Sequence, residues 1–153
     1  MRSATELLDK LADDAVGAGG TPILGHRWDE SGWSDPTLPT RAEIDRAAKD
    51  SVVYLSRIDV HSCLASSALI NQAPHSRGLA GYSDTGWLTQ DAHHAVREVA
   101  FESITPEQRR SAQQLALAHA ASLGIGMVHE LGGPGISDPE DFRELLAYGP
   151  QVG

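Results

Sequence analysis

Cysteine is almost absent from this chain: Cys63 stands alone among 153 residues. A lone thiol excludes an internal disulfide framework and suits a reducing compartment, so the expected location is the cytoplasm. Basic residues are also scarce. Twelve Lys and Arg against 21 Asp and Glu leave a formal charge of -9, which speaks against nucleic acid or an anionic membrane surface as a partner. No apolar run approaches the roughly 20 residues that span a bilayer, so no membrane segment is expected. The amino-terminal MRSATELLDKLADD is acidic and amphipathic, unlike a secretory signal. Aromatic residues make up 5%. Internal repeats and low-complexity tracts are missing.

What is present fits an ordinary globular protein, with 41% hydrophobic and 22% charged residues. The length allows one domain with a real core but not a full (β/α)8 barrel, which takes about 250 residues. Ser3 and Glu6 form a capping-box pattern, and Leu7, Leu8 and Leu11 follow at helical spacing. Thr40 with Glu43 and Thr105-Pro106 with Gln108 predict two more helix starts. Thr89 predicts another, running to about Ser103. Strands are predicted over 21–25, 52–56 and 125–128, a small-residue helix over 62–70, and a functional or mobile loop over 71–86. Alternating helices and strands predict a mostly parallel α/β arrangement, a single incomplete α/β domain over residues 1–153.

The stretch GIGMVHELGGPG, residues 124–135, draws the most attention. Its apolar run, bracketed by turn residues, predicts a strand buried on both faces. His129 and Glu130 then fall at the strand end, where α/β folds gather their chemistry. Alternation puts the two on opposite sides. His61 likewise follows a predicted strand. His61 and Glu130 are therefore the acid/base candidates, since a carboxylate beside a histidine suits proton transfer. The structural alternative for each is a hydrogen-bonded loop tie. His93 and His94 are neighbours on a predicted helix, about 100° apart, and cannot readily share one metal. His119 reads as a packing residue in an alanine-rich helix. H-x-H, H-E-x-x-H and C-x-x-C are all missing, so the three converging ligands of a catalytic zinc are not assembled by motif. The GGPG turn lacks a Walker lysine and G-x-G-x-x-G, and the serines at 62, 66 and 67 lack a nucleophile elbow. Trp28, Trp33 and Trp87 could line a pocket or simply fill a core.

The residues also carry a resemblance. Gly25-His26-Arg27-Trp28-Asp29-Glu30-Ser31-Gly32-Trp33, then Leu38-Pro39-Thr40-Arg41-Ala42 and Ile44-Asp45, resemble the G-x-x-W-D-E…W…L-P-T-R-x-x-L-D pattern of amidohydrolase family 3 (YtcJ-like) proteins. Arg57, Asp59, His61, Ala68 and Leu69 match that family's R-x-D-x-H…N-x-x-A-L segment, with Ser67 where many members have asparagine. Gly124-Ile125 through His129-Glu130 is similar to its G-I-T-x-V-H-D/E strand end. The resemblance implies a metal-dependent hydrolase of carbon–nitrogen bonds built on a TIM-like barrel, of which this chain holds a segment with few parallel strands and packed helices. It implies a divalent metal, zinc above all, bound in the complete enzyme through an H-x-H and later-strand residues that this chain lacks. It implies His61 and Glu130 as catalytic, site-facing residues, with His129 and His93 as the candidate metal ligands, and a small amide-type substrate. The alternative is a non-catalytic interaction module that pairs with a complementary half-barrel or with itself.

Overall fold

The computed structural model describes residues 1–132 and 139–149. Its contacts divide the chain into two units, Met1–Ser103 and Ile104–Gly153. The first is a four-stranded sheet between two pairs of helices. Its strands, β1 (Ile23–Trp28), β2 (Val53–Arg57), β3 (Ser62–Ala65) and β4 (Trp87–Thr89), lie side by side in chain order. β1 and β2 run parallel, whereas β2–β3 and β3–β4 are antiparallel. The sheet is therefore mixed, not mostly parallel. The difference lies at residues 62–70, where a helix is predicted and β3 forms first. Small residues suit a helix, but Cys63 and Leu64 complete two ladders at once and are fully buried there, and that pairing outweighs local propensity. Helix α3 (Ser67–Gln72) begins only after Ser66. The Ser66 hydroxyl explains the switch: it accepts from the backbone N–H of Val53 and Leu69 and donates to the Ser51 carbonyl. The predicted loop after α3 contains a 3-10 turn at Pro74–Gly78 and leads into β4.

Alternation along β2 sends its side chains to two cores. Val53 and Leu55 join Leu64, Trp28, Trp33 and Ile44 under helices α1 (Ala4–Ala18) and α2 (Arg41–Ala47), with Leu7 and Leu11 supplied by α1. Tyr54 joins Cys63, Ala65 and Leu88 on the other face, covered by α3 and α4 (Gln90–Glu102) through Leu69, Ile70, Val96 and Ala100. The caps behave largely as their residues dictate. Thr40 and Glu43 form a complete capping box. Ser3 accepts from the Glu6 N–H, but the Glu6 carboxylate turns to the N–H of Arg2 instead. Thr89 occupies the N-cap of α4 without a side-chain capping bond.

The second unit contains α5 (Pro106–Ser122) and α6 (Pro139–Tyr148). The Thr105–Gln108 box with Pro106 at the first turn starts α5 as expected. None of its described residues is fully buried. Arg109 pairs with Asp141 at 2.9 Å and Arg110 with Glu144 at 3.0 Å across to α6. The predicted buried strand over 125–128 does not form. Those residues have no regular structure, and Met127 and Val128 are 74% and 59% exposed. The physical reason is that an apolar run becomes a strand only where a neighbouring strand takes up its N–H and carbonyl groups; among the described residues no strand pairs with it, and the Ile125 N–H turns back to the Ala120 carbonyl. Residues 133–135 of the glycine-rich turn, and 136–138 after it, lie outside the described residues.

Candidate functional site

The candidate residues fall on different parts of the chain. His61 closes the four-residue turn 58–61 between β2 and β3 and is exposed. His93 is buried in α4. His129 and Glu130 sit in the irregular, exposed stretch of the second unit. The structure thus places His61 and His93 in one unit, and His129 and Glu130 in the other.

The turn that carries His61 is built with unusual care. Arg57, the last residue of β2, grips Glu30 in a two-pronged pair: Nε donates to Oε2 at 2.9 Å and Nη2 to Oε1 at 3.0 Å. Its remaining prong, Nη1, donates to Asp59 Oδ2 at 2.7 Å. Asp29 Oδ1 stands 3.7 Å away. The other Asp59 oxygen accepts from the backbone N–H of His61 at 2.9 Å and from the Ser62 hydroxyl at 3.3 Å. Such planar, charge-assisted pairing is what a guanidinium offers and an ammonium does not. The Arg57 hydrogen bond holds the Glu30 carboxyl below its ordinary range. Partial burial pushes Asp59 upward, but the His61 N–H and the Arg57 guanidinium outweigh it and the net shift is downward. Arg57 itself is shifted up by its bonds to Glu30 and Asp59. Within the turn, Val60 has a φ of 56°, a left-handed conformation that a β-branched side chain resists.

His93 has different surroundings. Its Nε2 lies 2.8 Å from the Tyr54 hydroxyl, the two rings stack at 6.0 Å, and Nδ1 is buried without a hydrogen-bond partner among the described residues. Burial first, then the nearby charges of Arg97, His94 and His61, lower its pKa to about 4, with Asp59 opposing. Tyr54 is pushed up to about 12 by burial. The three tryptophans fill the core rather than line a pocket. Trp28 packs against Trp33 and Trp87 with centroids 6.3 and 5.6 Å apart, and its indole N–H donates to the Leu55 carbonyl.

The donor set does not fit a metal. Among the described residues no group of three or more His, Cys, Asp or Glu side chains is arranged to hold an ion. The three carboxylates that do converge, those of Asp29, Glu30 and Asp59, already face a cation in Arg57. Sequence reasoning placed His61 at a strand end but missed this network. Its members lie in two motif blocks, W-D-E and R-x-D-x-H, and nothing in either block alone says that Arg57 reaches Glu30.

The profile of the amidohydrolase family matches residues 1–152. The chain belongs to that family. It is similar to the protein LONG AFTER FAR-RED 3 of Arabidopsis thaliana, 28% identical over 91% of this chain and 27% of that protein. Among solved structures it resembles an uncharacterized metal-dependent hydrolase from Pyrococcus horikoshii OT3, with a TM-score of 0.69 at 20% identity over 98% of this chain and 29% of that one. A second, from Pyrococcus furiosus, gives a TM-score of 0.60 at 21% identity over 94% and 29%. The chain therefore spans less than a third of the length of each of these relatives.

Proposed function

We propose that this chain is part of a metal-dependent amidohydrolase that cleaves a carbon–nitrogen bond in a small amide-type substrate, and that it turns over little by itself. The observation that carries the reading is the family match over almost the whole chain. In this reading the two units are portions of one incomplete α/β domain, residues 125–128 become a strand of a TIM-like barrel when neighbouring strands are supplied, and the complete protein works in the cytoplasm. When bound, a divalent ion (zinc, in our reading) lowers the pKa of its water toward neutrality, and its main donors are other than the described residues. His61 orients the substrate or steadies developing charge. Glu130 carries a proton or joins the ligand set, with His129 as the candidate ligand beside it. His93, with Nε2 on Tyr54, we assign to packing in place of the metal role that the resemblance implies for it.

The test is an assay of the purified chain with added zinc against a panel of N-acyl amides. Hydrolysis no faster than the buffer background is expected. Turnover on the order of 10 per second, typical of enzymes, contradicts the reading. A second reading, a non-catalytic module that pairs with a complementary half-barrel or with a second copy, is favoured by the exposed apolar side chains of Leu115, Leu123, Ile125, Met127, Val128 and Leu131.

A further inference from the structure

We infer that Glu30, Arg57 and Asp59 form a positioning relay that fixes the place of His61, with Asp59 as its last member. The role of His61 rests on the proposed hydrolase reading, but its positioning does not. Residues 58–61 expose Ile58 and Val60, and Val60 sits in the left-handed region. Left to local preference, a β-branched residue there relaxes to negative φ and carries the next residue with it. Two backbone bonds oppose this, from Val60 N–H to the Arg57 carbonyl and from Ile58 N–H to the Trp28 carbonyl. Neither reaches His61. Among the described residues, the contact that does is the Asp59 carboxylate on the His61 N–H at 2.9 Å.

Asp59 is in turn aimed by Arg57 at 2.7 Å, and Arg57 is aimed by its two-pronged grip on Glu30. Glu30 follows β1, and Trp28, the last residue of that strand, is anchored in the core. The relay therefore refers an exposed histidine to the buried sheet through three charge-assisted contacts. A site group needs its supporting contacts to be useful, because a misplacement of about 1 Å costs on the order of a hundredfold in rate.

The experiment is nitrogen-15 relaxation on the full chain and on three variants. In Asp59→Ala the His61 amide is expected to fall from the order parameter of a rigid backbone, about 0.85, to below about 0.6. Asp59→Asn keeps an acceptor for the His61 N–H and is expected to stay close to the parent. Arg57→Ala touches nothing on His61 directly, yet it too is expected to loosen that amide. In every variant the exchange protection of the Val53 and Leu64 amides is expected to hold. An unchanged His61 amide in Asp59→Ala or in Arg57→Ala overturns the relay. Loss of protection at Val53 and Leu64 in step with His61 also overturns it, because the network is then a general brace of the sheet. Since no readout uses catalysis, failure here leaves the hydrolase reading standing, and failure of that reading leaves this one standing.

Discussion

Replacing Leu64 with alanine lowers the unfolding free energy of the sheet unit by about 3 kcal/mol, within the roughly 2–5 kcal/mol range for deleting buried leucine side chains. Leu64 is fully buried on the inner strand β3, in the cluster shared by Ile44, Leu55, Trp28 and Trp33. It pairs with Leu55 on one side and Trp87 on the other. Neighbours held by two hydrogen-bonded ladders cannot collapse into the space left behind, so the cost includes a cavity as well as lost transfer energy. Urea unfolding followed by tryptophan fluorescence reports on this layer directly, because all three tryptophans belong to it. Leu123→Ala supplies the contrast. Leu123 is exposed, and its truncation is expected to change stability by less than about 0.5 kcal/mol. A Leu64→Ala cost under about 1 kcal/mol contradicts the layered core.

The second large effect is acid sensitivity centred on His93. In the unfolded chain this imidazole takes a proton near its ordinary value of 6.5, whereas in the folded core it does so only near about 4. Between those two values the unfolded state binds more protons, so stability is complete above 6.5 and declines as the pH falls toward 4. For a displacement from 6.5 to about 4, about 1.4 kcal/mol per pH unit makes the size on the order of 3–4 kcal/mol. The carboxyls of Glu30 and Asp59 behave separately. Their folded values lie below the ordinary ones, so they add stability above the usual carboxylate range and lose it only as the pH falls through their lowered values. Melting temperatures of the parent chain are expected to hold from pH 7.5 to about 6.5 and then to fall steadily toward pH 4. His93→Gln, which keeps a partner for the Tyr54 hydroxyl, is expected to remove most of the slope between 6.5 and 5. An equal slope in both proteins contradicts the burial of a neutral His93.

How much of this was legible in the sequence differs by kind of signal. Capping is written within four residues, so the Thr40 and Thr105 starts were readable and formed as complete boxes. The β-branched and aromatic run at 52–56 gave β2 for the same local reason. β3 was not readable. Its four residues, three of them small, become a strand because β2 and β4 flank them, and that is a tertiary fact. The apolar run at 125–128 erred in the opposite direction. Its composition suits a buried strand, but burial depends on a partner, and Met127 and Val128 are left in the open. For the site, a strand end was enough to single out His61 but not to foresee that its backbone is tied to Asp59. His93 drew notice as a possible ligand through the resemblance, and its contact with the Tyr54 hydroxyl, from a residue 39 positions away, was not readable.

The described residues of this chain do not assemble a metal centre. Isothermal titration of the metal-free protein with zinc near neutral pH addresses this directly. The predicted result is weak binding without defined stoichiometry, as expected of scattered surface histidines. One equivalent bound with a sub-micromolar Kd, and lost on replacing His61 or His129, is the result that contradicts it.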